Sequence, residues 1–245
     1  PYDYEWLKEG RFQNKYLRLR FDEQKPNSVQ LTLRGQLKRI AVNGPAHYRQ
    51  VSESIQPFLR PDSLIPLKKP IQQEAQKALQ KADEGTSTTR AFYDHLMETM
   101  TYDKSGEGWG RGDAIYACNA KTGNCTDFHS LFIGMCRSKE IPARFHVGFP
   151  LDPDQQEGTV KGYHCWAEFF QQGKGWVPVD ISEASKDPDK QDFYYGSLDP
   201  YRITFTSGRD IRVSIAPDKK RQLNYFVYPK VFADGRLVNE GVETT

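Results

Sequence analysis

The apolar residues of this chain change their spacing twice. Near the start, Leu17, Leu19 and Phe21 alternate with charged residues, and Val29, Leu31 and Leu33 alternate with polar ones. A period of two marks half-buried strands. Lys25-Pro26-Asn27 reads as the turn between them, and Ile40 and Val42 as a further strand closed by Asn43-Gly44-Pro45. The spacing then becomes helical: Ile71, Ala75, Ala78, Leu79 and Ala82 share a stripe, with Pro70 in the first turn and Gly85 at the stop. A second helix is expected from about Ser87 to Met100, on the stripe Phe92, Leu96 and Met100. Beyond Arg144 the period of two returns in Phe145, Val147 and Phe149, with further strands expected at 164–170, 176–180, 203–205, 211–215 and 224–228. Strands, then helices, then strands is an α+β order, not an alternating α/β one. Pro57, Pro61, Pro66 and Pro70 follow the first strands and read as a linker. Two regions are expected: a small β-rich N-terminal region over 1–60 and a larger domain over 61–245.

Several function classes fall away. Lys plus Arg number 34 against 32 Asp plus Glu, and no basic stripe is interleaved with aromatics, so a nucleic-acid partner is not expected. No apolar run approaches the roughly 20 residues of a membrane helix, so no integral membrane segment is expected. Cys118, Cys125, Cys136 and Cys165 form no Cys-x-x-Cys pair and match no zinc template, so neither metal nor cofactor is expected. Four cysteines are also too few for a disulfide scaffold in a chain of 245 residues. The start, PYDYEWLKEG, is not a signal peptide and has no initiator Met, which suggests a trimmed chain.

The chemistry concentrates in three short segments. In the first, Phe128, Leu131, Phe132, Met135 and Cys136 form a helical stripe that begins after Gly123-Asn124-Cys125. Asn124 suits the N-cap, Cys125 falls at the first helical position and Asp127 at the third. A helix N-terminus stabilises a thiolate, and its unpartnered N–H groups can bind an oxyanion. The preceding Gly123 allows a substrate carbonyl to approach. In the second, His164 opens an apolar strand, where it can act as the base a thiol needs. In the third, Trp176-Val177-Pro178-Val179 ends in Asp180, a carboxylate able to fix the imidazole tautomer.

Each residue alone has a plain structural explanation: a buried thiol, a histidine at a strand start, an aspartate at a turn. Taken together they are more specific. Gln171 to Gly175 reads as a hairpin loop, and paired strands lie about 5 Å apart, within reach of an imidazole and a carboxylate. Cys125 is therefore read as nucleophile, His164 as base and Asp180 as the group that orients the base. His129 is read as structural, Asp127 as the helix-start charge, Cys118 and Cys136 as core thiols, Cys165 as a reduced thiol, and Trp166 and Trp176 as core. His47, His95 and His146 show no partner pattern. The loop KSGEGWGRG over 104–112 lacks a phosphate-cradle pattern and reads either as a mobile surface loop or as one wall of the site.

Gly123-Asn124-Cys125, His164-Cys165-Trp166 and Trp176-Val177-Pro178-Val179-Asp180, in that order, resemble the transglutaminase-like superfamily. Tyr102-Asp103 and Ile141-Pro142-Ala143-Arg144 resemble its flanking segments, and the resemblance runs over roughly residues 67–182. GNCTDFHSLF, GYHCWAEF and NYFVYP look like bacterial members. The resemblance implies a papain-like α+β fold with the nucleophile helix packed on an antiparallel sheet. It implies acyl transfer through a thioester, with hydrolysis of peptide or cell-wall amides as the expected activity and a peptide or protein amide as the partner. Cross-linking of an acyl donor to an amine, or a scaffold that only keeps the fold, are the alternatives. Trp109 and Tyr116 are candidates for a second oxyanion donor or the cleft wall. An extracytoplasmic location is expected from the trimmed start and the bacterial resemblance.

Overall fold

The computed structural model describes residues 3–21, 30, 32, 34–48, 54–155 and 157–238. Strand β1 (Asp3–Lys8) pairs antiparallel with β2 (Lys15–Arg20), which is the first alternating segment. The expected strand through Val29, Leu31 and Leu33 and its turn at 25–27 fall outside the described residues. Strand β3 (Val42–Asn43) is two residues long, because Gly44 turns to φ 73° and Pro45 begins a 3-10 turn.

The proline-rich stretch is packed down onto the rest of the chain. Phe58 and Ile65 are buried, and the buried Asp62 carboxylate lies 3.0 Å from Arg11 and 2.6 Å from Arg137. Arg137 is itself fully enclosed, and it spends its remaining donors on the Ala143 and Arg60 carbonyls.

Helix α1 (Lys69–Lys81) has Pro70 in its first turn as expected and ends before Gly85, which instead serves the turn that follows. Helix α2 (Thr88–Thr99) is capped by the Ser87 hydroxyl. Strand β4 (Thr101–Tyr102), helix α3 (Ala114–Ala120) and strand β5 (Thr122–Gly123) come next, β4 and β5 pairing in parallel. Helix α3 has no counterpart in the apolar periodicity, being only seven residues long. Its signal is Asp113, whose carboxylate accepts the Ile115 and Tyr116 N–H groups.

Helix α4 (Cys125–Ser138) is buried along almost its whole length and packs on the main sheet. That sheet holds β6 (Ala143–Pro150), β7 (His164–Gln171) and β8 (Gly175–Val179), followed by helix α5 (Ile181–Ala184), β9 (Ser197–Leu198) and β10 (Arg202–Ser207). Its order is β10-β6-β7-β8, all antiparallel, while β9 pairs with β3. Cys165, Ala167 and Phe169 of β7 face α4, where Phe169 meets Phe132 edge-on. Trp166 and Glu168 face the other way, towards His146 and Arg144. Phe58 and Arg144 cover Trp176 on that outer face. Covering both faces explains why β6 and β7 are buried residue after residue.

The expected strand at 224–228 is not formed. Strand β11 (Ile211–Ala216) pairs instead with β12 (Lys219–Leu223), and the chain then leaves the sheet. There Asn224 holds Arg209, Tyr225 donates to the Gly110 carbonyl, and the Phe226 carbonyl accepts the Thr206 hydroxyl. The aromatic alternation of this segment reflects Tyr225 on Phe145 and Tyr228 on Phe149, ring packing without a ladder. A last hairpin joins β13 (Val231–Ala233) to β14 (Arg236–Val238). The fold class is α+β, with helix α4 on an antiparallel sheet. Among the described residues no helix is long and apolar enough to cross a membrane.

Candidate active site

Cys125 sits at the first position of α4 because Asn124 and Asp127 close that helix end. The Asn124 side chain accepts the Thr126 N–H at 2.9 Å, and the Asp127 carboxylate accepts the Asn124 N–H at 3.0 Å. This reciprocal capping box contributes about 1 kcal/mol. The Asp127 and Phe128 N–H groups bond the Asn124 carbonyl. Among the described residues, Cys125 therefore holds the one N–H of the first four in α4 without an acceptor.

Asp127 also does more than charge the helix start. Its fully buried carboxylate accepts the Gly110 and Gly112 N–H groups at 2.7 and 3.0 Å. Arg209 grips the same loop from the other side, donating to the Arg111 and Gly112 carbonyls and to Ser130 of α4. The glycine-rich loop is thus tied to the nucleophile helix at its C-terminal end. Gly123 has a corresponding role: at φ 152°, a Cβ there would run into Asp127. Its small size makes room for the carboxylate clamp, a different reason from the one its place in the sequence suggests.

Strand pairing supplies the other two groups. His164 opens β7 and Asp180 follows the last residue of β8, where it caps α5. His164 Nε2 lies 2.6 Å from Asp180 Oδ2. Arg202 Nη1 donates to that same oxygen at 2.6 Å, while Oδ1 accepts the Ser182 hydroxyl and the Glu183 N–H. Asp180 is fully buried. Burial alone would push its pKa up, but His164 and Arg202 outweigh that and hold it well below the carboxylate range.

His164 and Cys125 adjoin, each shifting the other's titration. With Nε2 on Asp180, Nδ1 is the remaining ring nitrogen, 4.0 Å from Glu183 Oε1. Burial would depress this imidazole, but the Asp180 charge dominates and raises it to about 10. For Cys125 the neighbouring Cys165 lowers the thiol most; burial opposes that, and His164 adds to the lowering, so the thiol is held well below its ordinary value. Both shifts favour the charged form of their group.

His129 occupies the floor between these groups, one turn along α4. Its Nδ1 is 2.7 Å from the Cys125 carbonyl and its Nε2 is 3.1 Å from the Ile181 N–H. A carbonyl only accepts and an amide N–H only donates, so Nδ1 carries the proton and Nε2 does not. Burial depresses its basicity further. His129 is a neutral rivet between the nucleophile helix and the segment that carries Asp180.

The structure brings Cys125, His164 and Asp180 together. Trp109 is half-buried, and Tyr116 sets its ring against Gly108. Trp109 belongs to the glycine-rich loop and Tyr116 to α3. Arg202 was missed in the sequence, where it sits in an unremarkable strand; only the β10-β6-β7 order carries it to Asp180. Tyr102 was noted only as a flanking residue. It pairs with Gly123, and burial, reinforced by the Cys125 and Cys165 charges, pushes its phenol up. All four cysteines are free, and no cluster of metal-ligating side chains occurs among the described residues.

Residues 72–181 match the family model of the transglutaminase-like superfamily. An uncharacterized protein of Haemophilus influenzae is 26% identical over 222 residues, 78% of this chain. The chain spans 60% of the length of that curated relative. A candidate cysteine protease from Cytophaga hutchinsonii is similar at 22% identity and a TM-score of 0.47, over 69% of this chain and 53% of its own. The periplasmic domain of TgpA from Pseudomonas aeruginosa is similar at 19% identity and a TM-score of 0.43, over 56% and 51%. Red sea bream transglutaminase is similar at 14% identity and a TM-score of 0.34, over 45% and 26%.

Proposed function

We propose that this chain, whose residues 72–181 form a core of the transglutaminase-like superfamily, is a cysteine-dependent amide hydrolase acting through a thioester. The observation that carries the reading is His164, bonded through Nε2 to Asp180 at 2.6 Å and near enough to Cys125 at the head of α4 for each to shift the other's titration. In this mechanism the Cys125 thiolate attacks an amide carbonyl and a C–S bond forms. The free Cys125 N–H at the helix start takes the developing oxyanion. His164 gives its Nδ1 proton to the leaving amine, and the C–N bond breaks. His164 then takes a proton from water, which attacks the thioester and releases the acid and the thiolate. Asp180 keeps the imidazole in the right tautomer throughout, and Arg202 keeps Asp180 ionised.

Burial favours water as the acyl acceptor. Cys125 is 3% exposed and His164 8% exposed. Water reaches such a thioester more easily than a lysine on another protein. The substrate class that fits is a slender one, a peptide or cell-wall amide whose acyl side chain can enter; an extracytoplasmic site of action, decided by cell fractionation, would suit it.

The test is the rate of Cys125 alkylation by iodoacetamide against pH, followed by peptide mapping, in this chain and in His164→Ala. The expected result is fast reaction well below the ~8.5 of a free thiol, lost in the variant. Slow reaction at every pH, or no change without His164, would sink the reading. A paired assay with a peptide library and a fluorescent primary amine separates hydrolysis, which exposes new ends, from transamidation, which incorporates the label.

A further inference from the structure

His164 stands at an end of its strand that the sheet holds on one side. It pairs with Gly148 of β6, but the ladder to β8 begins only at Ala167, opposite Val179. The residue before it, Tyr163, follows Gly162 at φ 88° and lies just outside the strand. The Tyr163 hydroxyl reaches across to the head of α4. Asn124 Nδ2 donates to it at 3.2 Å, and Thr126 Oγ1 lies 3.1 Å away. Those two residues flank Cys125. We propose that Tyr163 is a positioning residue of the site, its hydroxyl fastening the residue before His164 to the residues on either side of Cys125. The proposal rests on the reading of Cys125 as nucleophile and His164 as its base.

These bonds do what apolar packing leaves undone. Ala167 and Phe169 face the helix, and Phe169 meets Phe132 edge-on. Such contact is non-directional and tolerates a small slide of strand against helix. A hydrogen bond has a preferred length and direction and resists it. The slide matters here, because a misplacement of about 1 Å between reacting groups can cost on the order of 10²-fold in rate.

The same hydroxyl fixes which way the Asn124 amide faces. Oδ1 accepts the Thr126 N–H as the helix cap, so Nδ2 needs an acceptor of its own, and Tyr163 supplies it. The tyrosine is held from its other side too. Its ring centroid is 5.8 Å from that of Tyr225, whose hydroxyl lies 3.2 Å from the Tyr163 hydroxyl and 3.1 Å from the Gly110 carbonyl. The nucleophile helix, the base strand and the glycine-rich loop thus meet at one phenol. Burial keeps that phenol protonated.

The experiment measures the pH midpoint of Cys125 alkylation by iodoacetamide, read by peptide mapping, with urea unfolding alongside. The variants are Tyr163→Phe, Thr126→Val, Thr126→Ser and the double variant Tyr163→Phe with Thr126→Val. Phenylalanine removes one oxygen. Serine keeps the hydroxyl that valine lacks, and the Thr126 variants read the same bond from the helix side should Tyr163→Phe disturb the fold. Thr126 Oγ1 also lies 3.8 Å from the Cys165 sulfur, so only the part of its effect shared with Tyr163 counts. The expected result is a midpoint raised by about half to one pH unit in Tyr163→Phe and in Thr126→Val, with serine within about 0.3 of the wild type. The double variant should rise less than the two single variants together. An unmoved midpoint in Tyr163→Phe or Thr126→Val, with a low wild-type midpoint, overturns the proposal and leaves the parent reading standing, whatever happens to urea stability. Rises that add in full in the double variant overturn it as well, because the phenol then acts apart from α4. A wild-type midpoint at the free-thiol value removes both readings.

Discussion

Two clusters in this molecule hold the same four kinds of group. In one, Cys125, His164, Asp180 and Arg202 meet between α4 and the sheet. In the other, Cys118, His95, Glu74 and Lys121 meet between α1, α2 and α3. Glu74 accepts His95 Nε2 at 2.7 Å and pairs with Lys121, much as Asp180 accepts His164 and Arg202. Yet the two thiols are shifted in opposite directions. Cys118 lies in the middle of α3 and points to the Pro70 carbonyl and the Glu74 carboxylate, at 3.6 and 3.9 Å. Burial raises it and Glu74 adds to the rise. His95 leaves its second nitrogen buried without a partner, whereas that of His164 lies 4.0 Å from Glu183. The difference teaches that the same four kinds of group can lower a thiol that heads a helix beside the imidazole and raise one that lies within a helix beside the carboxylate.

The largest effect expected of breaking this contrast is on turnover. Cys125→Ser loses on the order of 10⁴-fold or more in kcat/KM on a cleavable peptide, while Cys118→Ala stays within about twofold; steady-state kinetics on both variants decide it. Next comes stability. Arg202→Met leaves the fully buried Asp180 short of one charge partner and costs about 3–5 kcal/mol in urea unfolding. Lys121→Met removes a partner that is partly solvated and costs about 1 kcal/mol or less. Equal costs would mean that the two clusters are not differently screened.

The pH dependence sharpens the comparison further. His164 is raised when folded, so its contribution is complete below the unfolded value of about 6.5 and is lost as pH rises through about 10. Glu74 is lowered to about 2: burial opposes this, and His95 and Lys121 win. Its contribution is present above about 4.3 and disappears as pH falls through about 2. Melting temperature against pH should show an alkaline loss that vanishes in His164→Ala and persists in Glu74→Gln. The smallest expected effect is at the cap: Asn124→Ala costs about 1 kcal/mol and raises the Cys125 alkylation midpoint by a few tenths of a unit. An unchanged midpoint would assign the activation to the side-chain partners alone.

Much of this arrangement was legible along the chain, because its physics is local. The order of periodicities determined the α+β class. Asn124 and Asp127 determined where α4 begins, hence that Cys125 heads it. The hairpin between Gln171 and Gly175 determined that His164 and Asp180 face each other across neighbouring strands. A short loop leaves two strands little choice but to pair, so such contacts can be read from spacing. Other features depended on contacts between segments far apart in sequence. Arg202 reaches Asp180 through strand order. Arg209 and Asp127 clamp a loop on either side, and Cys165 gains its polar neighbours only when β7 lies on α4. The aromatic run at 224–228 shows the converse: its alternation is real, but its rings pack on Phe145 and Phe149 while its backbone pairs with no strand. Sequence spacing describes which way side chains point along one segment. Which distant groups they then meet is decided by tertiary packing, where a buried charge has to find its partner or remain neutral.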